Sequence, residues 1–292
     1  IRWHYAVPVL VPSFLVFVLH NITWVSEKGL HSVGLVQGNI DQSIKWDFKE
    51  RNRITRKYIS MSAELWGLNL VVWPEYALTL YGEEARRVKL NLQERAIESG
   101  TNLLLGAPEI VAYRDEKLAE RFRVFNTAQG FGLASGSFAK SHLVPFGDYV
   151  PFQEVLRGLI TFFDLPMSSS SKGSSDQPNI VAKLGDETVQ IGIGICYEIA
   201  FGDSMRIRAR EADLLVTITN DTWFGASIGP HQHMQIARVR ALENGRWLVR
   251  AANDGITGII DHNGNVRDEL PQFTEGVLTG EFHTTQGRTP YN

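Results

Sequence analysis

A single cysteine, Cys196, stands in 292 residues, which excludes an internal disulfide and a cysteine-based zinc cluster alike. Neither sign of charge is in surplus, with 29 basic against 32 acidic residues and a net charge of −3. There is no basic stripe with interleaved aromatics, so no nucleic-acid partner is expected. No internal repeat is visible. The stretch "GIGIC" lacks the further glycine of a dinucleotide loop. His231 and His233 in "PHQHMQ" are two apart, which on a helix points them in different directions rather than at one metal ion. No metal and no organic cofactor is expected.

What the sequence does have is one long uncharged stretch, "YAVPVLVPSFLVFVLHNITWV" (Tyr5–Val25), flanked by Trp3 and Trp24. As a helix it would run about 30 Å, enough to cross a bilayer, with aromatic side chains near both interfaces. That predicts a transmembrane helix. Pro8, Pro12, His20 and Asn21 leave a buried amphipathic helix as the alternative. No small-residue cleavage site follows, which argues against a signal peptide. "SEKGLHS" then reads as a polar joint, dividing a membrane segment at 1–28 from a folded domain at 29–292.

In that domain short apolar runs alternate with helix-like segments. "VGLVQGNI", "LNLVVWPE", "NLLLGAPE", "FNTAQGF", "TVQIGIGIC", "DLLVTITN" and "WLVRAAN" read as strands buried on both faces. Phe48–Trp66, Glu83–Glu98 and Pro230–Glu243 carry helical spacing; Pro230 suits a first turn and Gly245 a helix stop. The fold class is α/β, with helices covering sheets. The longest irregular stretch, Gly147 to about Gly185, includes the apolar "VLRGLITFFDLPM" with Phe162 and Phe163. It reads either as a short packed helix with a flexible tail or as an apolar flap suited to an apolar substrate.

Chemistry is expected where strands end, because sites in α/β sheets collect at carboxyl ends. Glu75 follows "VVWP", Cys196 follows "IGIGI", and Lys140 sits in "FAKSHLVPFGDY". A carboxylate raised by burial can deprotonate a thiol, and a nearby lysine can stabilise an oxyanion. Brought together, Glu75, Lys140 and Cys196 would make a complete acyl-transfer site. Read singly, each has a plainer account: Cys196 as a core hydrophobe, Glu75 as a turn residue, Lys140 as a surface lysine. The residues alone permit the triad without requiring it.

"WPEYAL", "KSHLVPFGDYVPF", "ICYEIAFGD", "NDTWFGASIGPHQHMQIARVRALENGR" and "NDGITGIID", with "GNIDQSIKWD" before them, resemble the nitrilase (carbon-nitrogen hydrolase) superfamily. Within it they resemble the bacterial membrane enzymes that N-acylate apolipoproteins. The resemblance runs from about Gly34 to Tyr291, with the motifs in family order. It implies an αββα sandwich for the catalytic domain and a Glu-Lys-Cys triad at Glu75, Lys140 and Cys196. It also implies membrane helices before and after this segment, and a position in the bacterial inner membrane with the catalytic domain facing the periplasm. The implied reaction takes an acyl chain from phospholipid, through a Cys196 thioester, to the α-amino group of the S-diacylglyceryl cysteine of an apolipoprotein. Trp46, Tyr197 and Glu198 fall on positions the family treats as functional. Tyr197 would lend its N–H to the oxyanion, and Trp46, Phe162 and Phe163 would contact substrate. Asp148 departs from the pattern, since "PFGEY" is the usual form. One methylene shorter, it is expected to make its contact through a water or a shifted loop. The rival readings are a soluble amidohydrolase with the same triad and a catalytically silent membrane scaffold.

Overall fold

A computed structural model describes residues 7–20, 22–114, 120–150 and 170–292. The helix α1 (Val7–His20) comes first, followed by the strand β1 (Val25–Gln37). Two short helices, α2 (Gln42–Lys45) and α3 (Arg51–Met61), lead to β2 (Leu70–Val72), α4 (Gly82–Glu98) and β3 (Asn102–Arg114). The first sheet is completed by β4 (Glu120–Gly132), β5 (Ser137–Ala139) and the last strand of the chain, Gly276–Gly287. The second is built from β6 (Ile180–Leu184), β7 (Glu187–Ile195), β8 (Leu214–Thr219), β9 (Leu248–Ala252), β10 (Thr257–Ile260) and β11 (Val266–Leu270). Helices α5 (Gly202–Ala209) and α6 (Gly229–Asn244) fall between β7 and β9, and β12 is Gly276–Gly287. The sheet orders are β12-β1-β2-β3-β4-β5 and β11-β10-β9-β8-β7-β6, parallel at the centre of each and antiparallel outside.

The period of two in the strands builds four layers. Val33, Leu35, Leu70, Val72 and Leu104 from one sheet meet Ile191, Ile193, Ile195, Val216 and Ile218 from the other in the central core. The residues between them point outward: Val36, Val71, Trp73 and Leu103 pack with Ile54, Tyr58, Leu92 and Ala96 of α3 and α4. On the second sheet Leu215 and Leu248 pack with Met205, Met234, Ala237 and Ala241 of α5 and α6. The result is the αββα sandwich implied by the resemblance. It explains the glycines of "GIGIC": a Cβ on Gly194 would lie 3.1 Å from Met205 Sδ, so that outward position is kept bare for α5.

Each strand read from the sequence is present, and so are the three helices, although Phe48–Trp66 contracts to α3. Pro230 does lie in the first turn of α6, and Gly245 ends it in the left-handed conformation at φ +59°. The polar joint does not hold: "SEKGLHS" is part of β1, because its backbone pairs with β12 from Val25 to Gln37. The strands after Asn253 also went unread: β11 and β12 because their exposed, charged positions break any apolar run, and the buried β10 because it is only four residues long.

The N-terminal helix is shorter than the uncharged stretch predicts. α1 has 14 residues and ends at His20, while Val25 already belongs to β1. At 1.5 Å per residue it spans about 21 Å. Among the described residues no helix is long and apolar enough to cross a membrane. Its Leu10, Val11, Phe14, Leu15, Val16 and Leu19 are all exposed. Tyr5, Phe162 and Phe163 lie outside the described residues, as does the apolar part of the Gly147–Gly185 stretch.

Candidate active site

The two sheets present their parallel strand ends at the same edge of the sandwich, and the three expected residues meet there. β2 runs on through Trp73, whose N–H bonds Leu104 O at 2.8 Å, into a turn at Pro74–Tyr76 that presses on β3. Gly106 permits that approach: a Cβ there would lie 2.5 Å from Pro74 O and 2.7 Å from Glu75 Cα. Glu75 is thereby carried inside, with only 4 % of its surface exposed. Lys140 follows β5, anchored by its N–H to Asn126 O at 2.8 Å, and is equally buried. Cys196 ends β7 and opens a 3-10 turn, Cys196–Ala200, with φ at +54°. A non-glycine residue holds that left-handed backbone only where its surroundings impose it.

Glu75 has a full set of partners. Asn126 Nδ2 donates to Oε1 at 2.7 Å, the Asn220 N–H to Oε2 at 2.9 Å, and Lys140 Nζ lies 3.3 Å from Oε1. Its backbone carbonyl accepts from Lys45 Nζ at 3.0 Å. Lys140 is held from the other side by Asp148, with Nζ 3.0 Å from Oδ1 and 2.8 Å from Oδ2. Asp148 therefore needs no water and no long side chain. The tight turn from Val144 to Asp148, with Phe146 at φ +64°, brings the shorter carboxylate onto Lys140 directly, and the Val144 N–H caps it at 2.8 Å.

These neighbours set the proton affinities. Burial works against the charge on Lys140, but Glu75 and Asp148 outweigh it and hold its pKa well above the usual 10.5. Burial pushes the Cys196 thiol up to about 12, the charge of Glu75 adds to the rise, and Lys140 opposes it. The resting residue is thus a thiol, and the base that would take its proton shares its pocket. Burial lowers Lys45 to about 8, against the pull of Glu75, Asp254 and Cys196.

Glu198 ties the nucleophile's turn to the lysine's segment. Its Oε2 accepts from the Ile195 N–H at 2.9 Å; its Oε1 accepts from the Ser141 N–H, the Ser141 hydroxyl and the His142 N–H at 2.8, 2.8 and 3.0 Å. Tyr197 is exposed beside Cys196. Trp46 does not line the pocket: it packs edge-on against Tyr76, ring centroids 4.9 Å apart.

Glu75, Lys140, Asp148 and Cys196 form the polar floor of a pocket of about 410 Å³. Its walls are Val144, Pro145, Phe146, Trp223 and Phe224. A reactive thiol and an oxyanion-stabilising cation under apolar walls suit a carbonyl that carries an apolar chain. Among the described residues no group of three His, Cys, Asp or Glu side chains is arranged to hold a metal ion.

Sequence reasoning missed Lys45, Asn126, Asn220, Asp221 and the role of His233. Asn220 and Asp221 follow the strand "LLVTIT", so the strand-end rule that picked out Glu75 and Cys196 applied to them as well. Lys45, Asn126 and His233 carry no such signal. Asn253, near the site, bonds Asn220 Oδ1 through its Nδ2 at 3.0 Å, whereas Glu243 pairs with Arg240 on α6.

The model of the family described as carbon-nitrogen hydrolase matches residues 32–289. Proteins named apolipoprotein N-acyltransferase from Pseudomonas aeruginosa and Azotobacter vinelandii are 42% and 41% identical over 257 and 284 residues. Those matches cover 88% and 97% of this chain but 48% and 54% of the relatives. The chain thus spans about half the length of the curated relatives it matches. The crystal structure of a carbon-nitrogen hydrolase from Helicobacter pylori superposes with a TM-score of 0.61 at 14% identity, over 87% of this chain and 89% of that one. That last likeness speaks to the fold alone.

Proposed function

The chain belongs to the carbon-nitrogen hydrolase family, and from that premise we propose that it carries the acyl-transfer site of a membrane N-acyltransferase acting on apolipoproteins, the activity for which its relatives are named. Glu75 takes the proton of Cys196, and the thiolate attacks the ester carbonyl of a phospholipid. Lys140 and the N–H of Tyr197 stabilise the oxyanion. As the tetrahedral intermediate collapses, Glu75 returns the proton to the leaving alkoxide and lysophospholipid departs, with the acyl group held on Sγ as a thioester. The α-amine of an S-diacylglyceryl cysteine then attacks the thioester. Glu75 accepts the proton lost by the amine and passes it to the departing thiolate, which regenerates the enzyme.

The observation that carries this reading is the pocket itself, where Glu75, Lys140 and Cys196 share a polar floor beneath apolar walls. The inner-membrane location with a periplasmic catalytic domain, and lipid contact by Phe162 and Phe163, are parts of the same proposal. The exposed apolar surface of α1 supports its membrane side. Cys196→Ser tests the chemistry, because it nearly preserves volume while replacing a strong nucleophile with a poor one. N-acylation of a diacylglyceryl peptide is expected to vanish with the melting temperature unchanged; retained N-acylation would remove Cys196 from the mechanism.

A further inference from the structure

The backbone carbonyl of Cys196 is engaged by a side chain that the acyl-transfer steps do not use. His233 Nε2, on α6, lies 3.1 Å from Cys196 O. A carbonyl oxygen only accepts, so Nε2 carries the proton of this bond. The other ring nitrogen, Nδ1, sits between Asp221 Oδ1 at 2.9 Å and Arg250 Nη2 at 3.1 Å, so it has a partner in either protonation state. Arg250 donates in turn to Asp221 Oδ2 at 2.6 Å and, through Nε, to Ile256 O at 3.0 Å. The Thr219 hydroxyl donates to Asp221 Oδ1 at 2.9 Å and also contacts the Cys196 thiol. His233, Asp221 and Arg250 are 1 %, 2 % and 0 % exposed, and none of them lines the Cys196 pocket.

Burying three ionisable groups is costly unless each is paired, and here each is, although Arg250 Nη1 is left without a hydrogen-bond partner. Arg250 and the positive edge of His233 hold the Asp221 carboxyl far below the usual carboxylate range, although burial opposes them. The cluster meets the nucleophile at two points, the carbonyl through His233 and the thiol through Thr219. The first has a consequence for the oxyanion. The carbonyl of Cys196 and the N–H of Tyr197 belong to one planar trans peptide unit and point in opposite directions. A side chain that fixes the carbonyl fixes the N–H as well.

We propose that His233, backed by Asp221 and Arg250, is a positioning residue for acyl transfer: its bond to the Cys196 carbonyl holds the left-handed turn, aims Sγ into the pocket and points the Tyr197 N–H at the developing oxyanion. This rests on the thioester chemistry proposed above. It adds a requirement that the Glu-Lys-Cys triad alone does not contain.

Two substitutions separate positioning from folding. Asn at position 233 keeps an N–H beside Asp221 but stops short of the Cys196 carbonyl, whereas Gln carries an N–H out to about the reach of Nε2. The probe is p-nitrophenyl butyrate, mixed with the purified protein in detergent. Attack by Sγ forms the butyryl thioester and releases p-nitrophenolate in a burst. The amplitude counts folded, competent enzyme, and the rate constant reports alignment. His233→Asn is expected to slow acylation about a hundredfold per active site with KM unchanged, the scale of loss for a misplaced reacting group. His233→Gln is expected to recover at least about tenfold of that loss, as restoring one hydrogen bond would. A fall in amplitude with an unchanged rate constant would make His233 a folding residue, and equal rates for the two variants would also overturn the proposal. If His233→Asn gives no burst, the Gln variant decides alone: a rate constant within about tenfold of wild type supports positioning, and a slower one overturns it. Wild-type enzyme that gives no burst and gains no butyryl mass on Cys196 would defeat the thioester chemistry and this inference together.

Discussion

Lys45 shows how far a single side chain can depend on contacts that sequence does not display. In "QSIKW" it looks like a solvated lysine, yet it is 1 % exposed, with Nζ on the carbonyl of Glu75. Burial brings its pKa to about 8, against 10.5 in an ordinary setting. Between those values the unfolded chain binds more protons than the folded one, so stability rises with pH across the window. The penalty for burying the charge is complete below about pH 8 and is relieved toward 10.5. Lys45→Met removes it. Chemical denaturation from pH 7 to 10.5 should therefore show the difference between wild type and Lys45→Met moving in favour of wild type by up to about 3 kcal/mol. A difference independent of pH would mean that Lys45 does not titrate in this window. Glu75 and Cys196 could be singled out in advance as strand-end residues, whereas Lys140 follows the three-residue β5, which carries no strand signal, and was placed with them by the family resemblance. Lys45, Asn126 and His233 could not be singled out, because their partners come from residues 30, 51 and 37 positions away.

Elements divide along the same line. Strands buried on both faces were legible, since each is a short apolar run bounded by turn signals. β11 and β12 were not, because pairing at a sheet edge asks little of side chains that face water. The join between the β5 and β7 ends rests on Glu198, whose two oxygens bind backbone on both sides. Gln at this position would turn an N–H₂ toward one of those donors. Glu198→Gln is accordingly expected to cost about 3 kcal/mol of stability, the scale for breaking a buried charged network. It should also lower kcat for N-acylation while the Glu75–Lys140 pair stays chemically intact. Loss of neither stability nor kcat would show that the two strand ends align without Glu198.

At the scale of the whole molecule, the sandwich gathers apolar surface around one edge. Phe146, Tyr197, Phe201 and Trp223 are exposed near the pocket mouth, Phe146 and Trp223 being part of its walls. A rim of this kind fits an acyl donor embedded in a bilayer, at about 25 cal/mol for each Å² it removes from water. Replacing Phe146 and Trp223 with Ser should slow acylation by vesicle phospholipid about tenfold more than acylation by a short soluble ester. Equal losses would assign those two side chains to packing. The architecture was legible from alternating strands and helices, but the length of α1 was not. Apolar composition alone continued the helix to Val25, whereas backbone pairing with β12 claims that residue for a strand. The central claim, that an acyl chain rests on Cys196 between donor and acceptor, is tested most directly by intact-mass and peptide mass spectrometry after incubation with phospholipid and no acceptor. The account predicts one acyl mass on the Cys196 peptide and an equal amount of lysophospholipid. An unmodified Cys196, or an acyl group found on another residue, would contradict it.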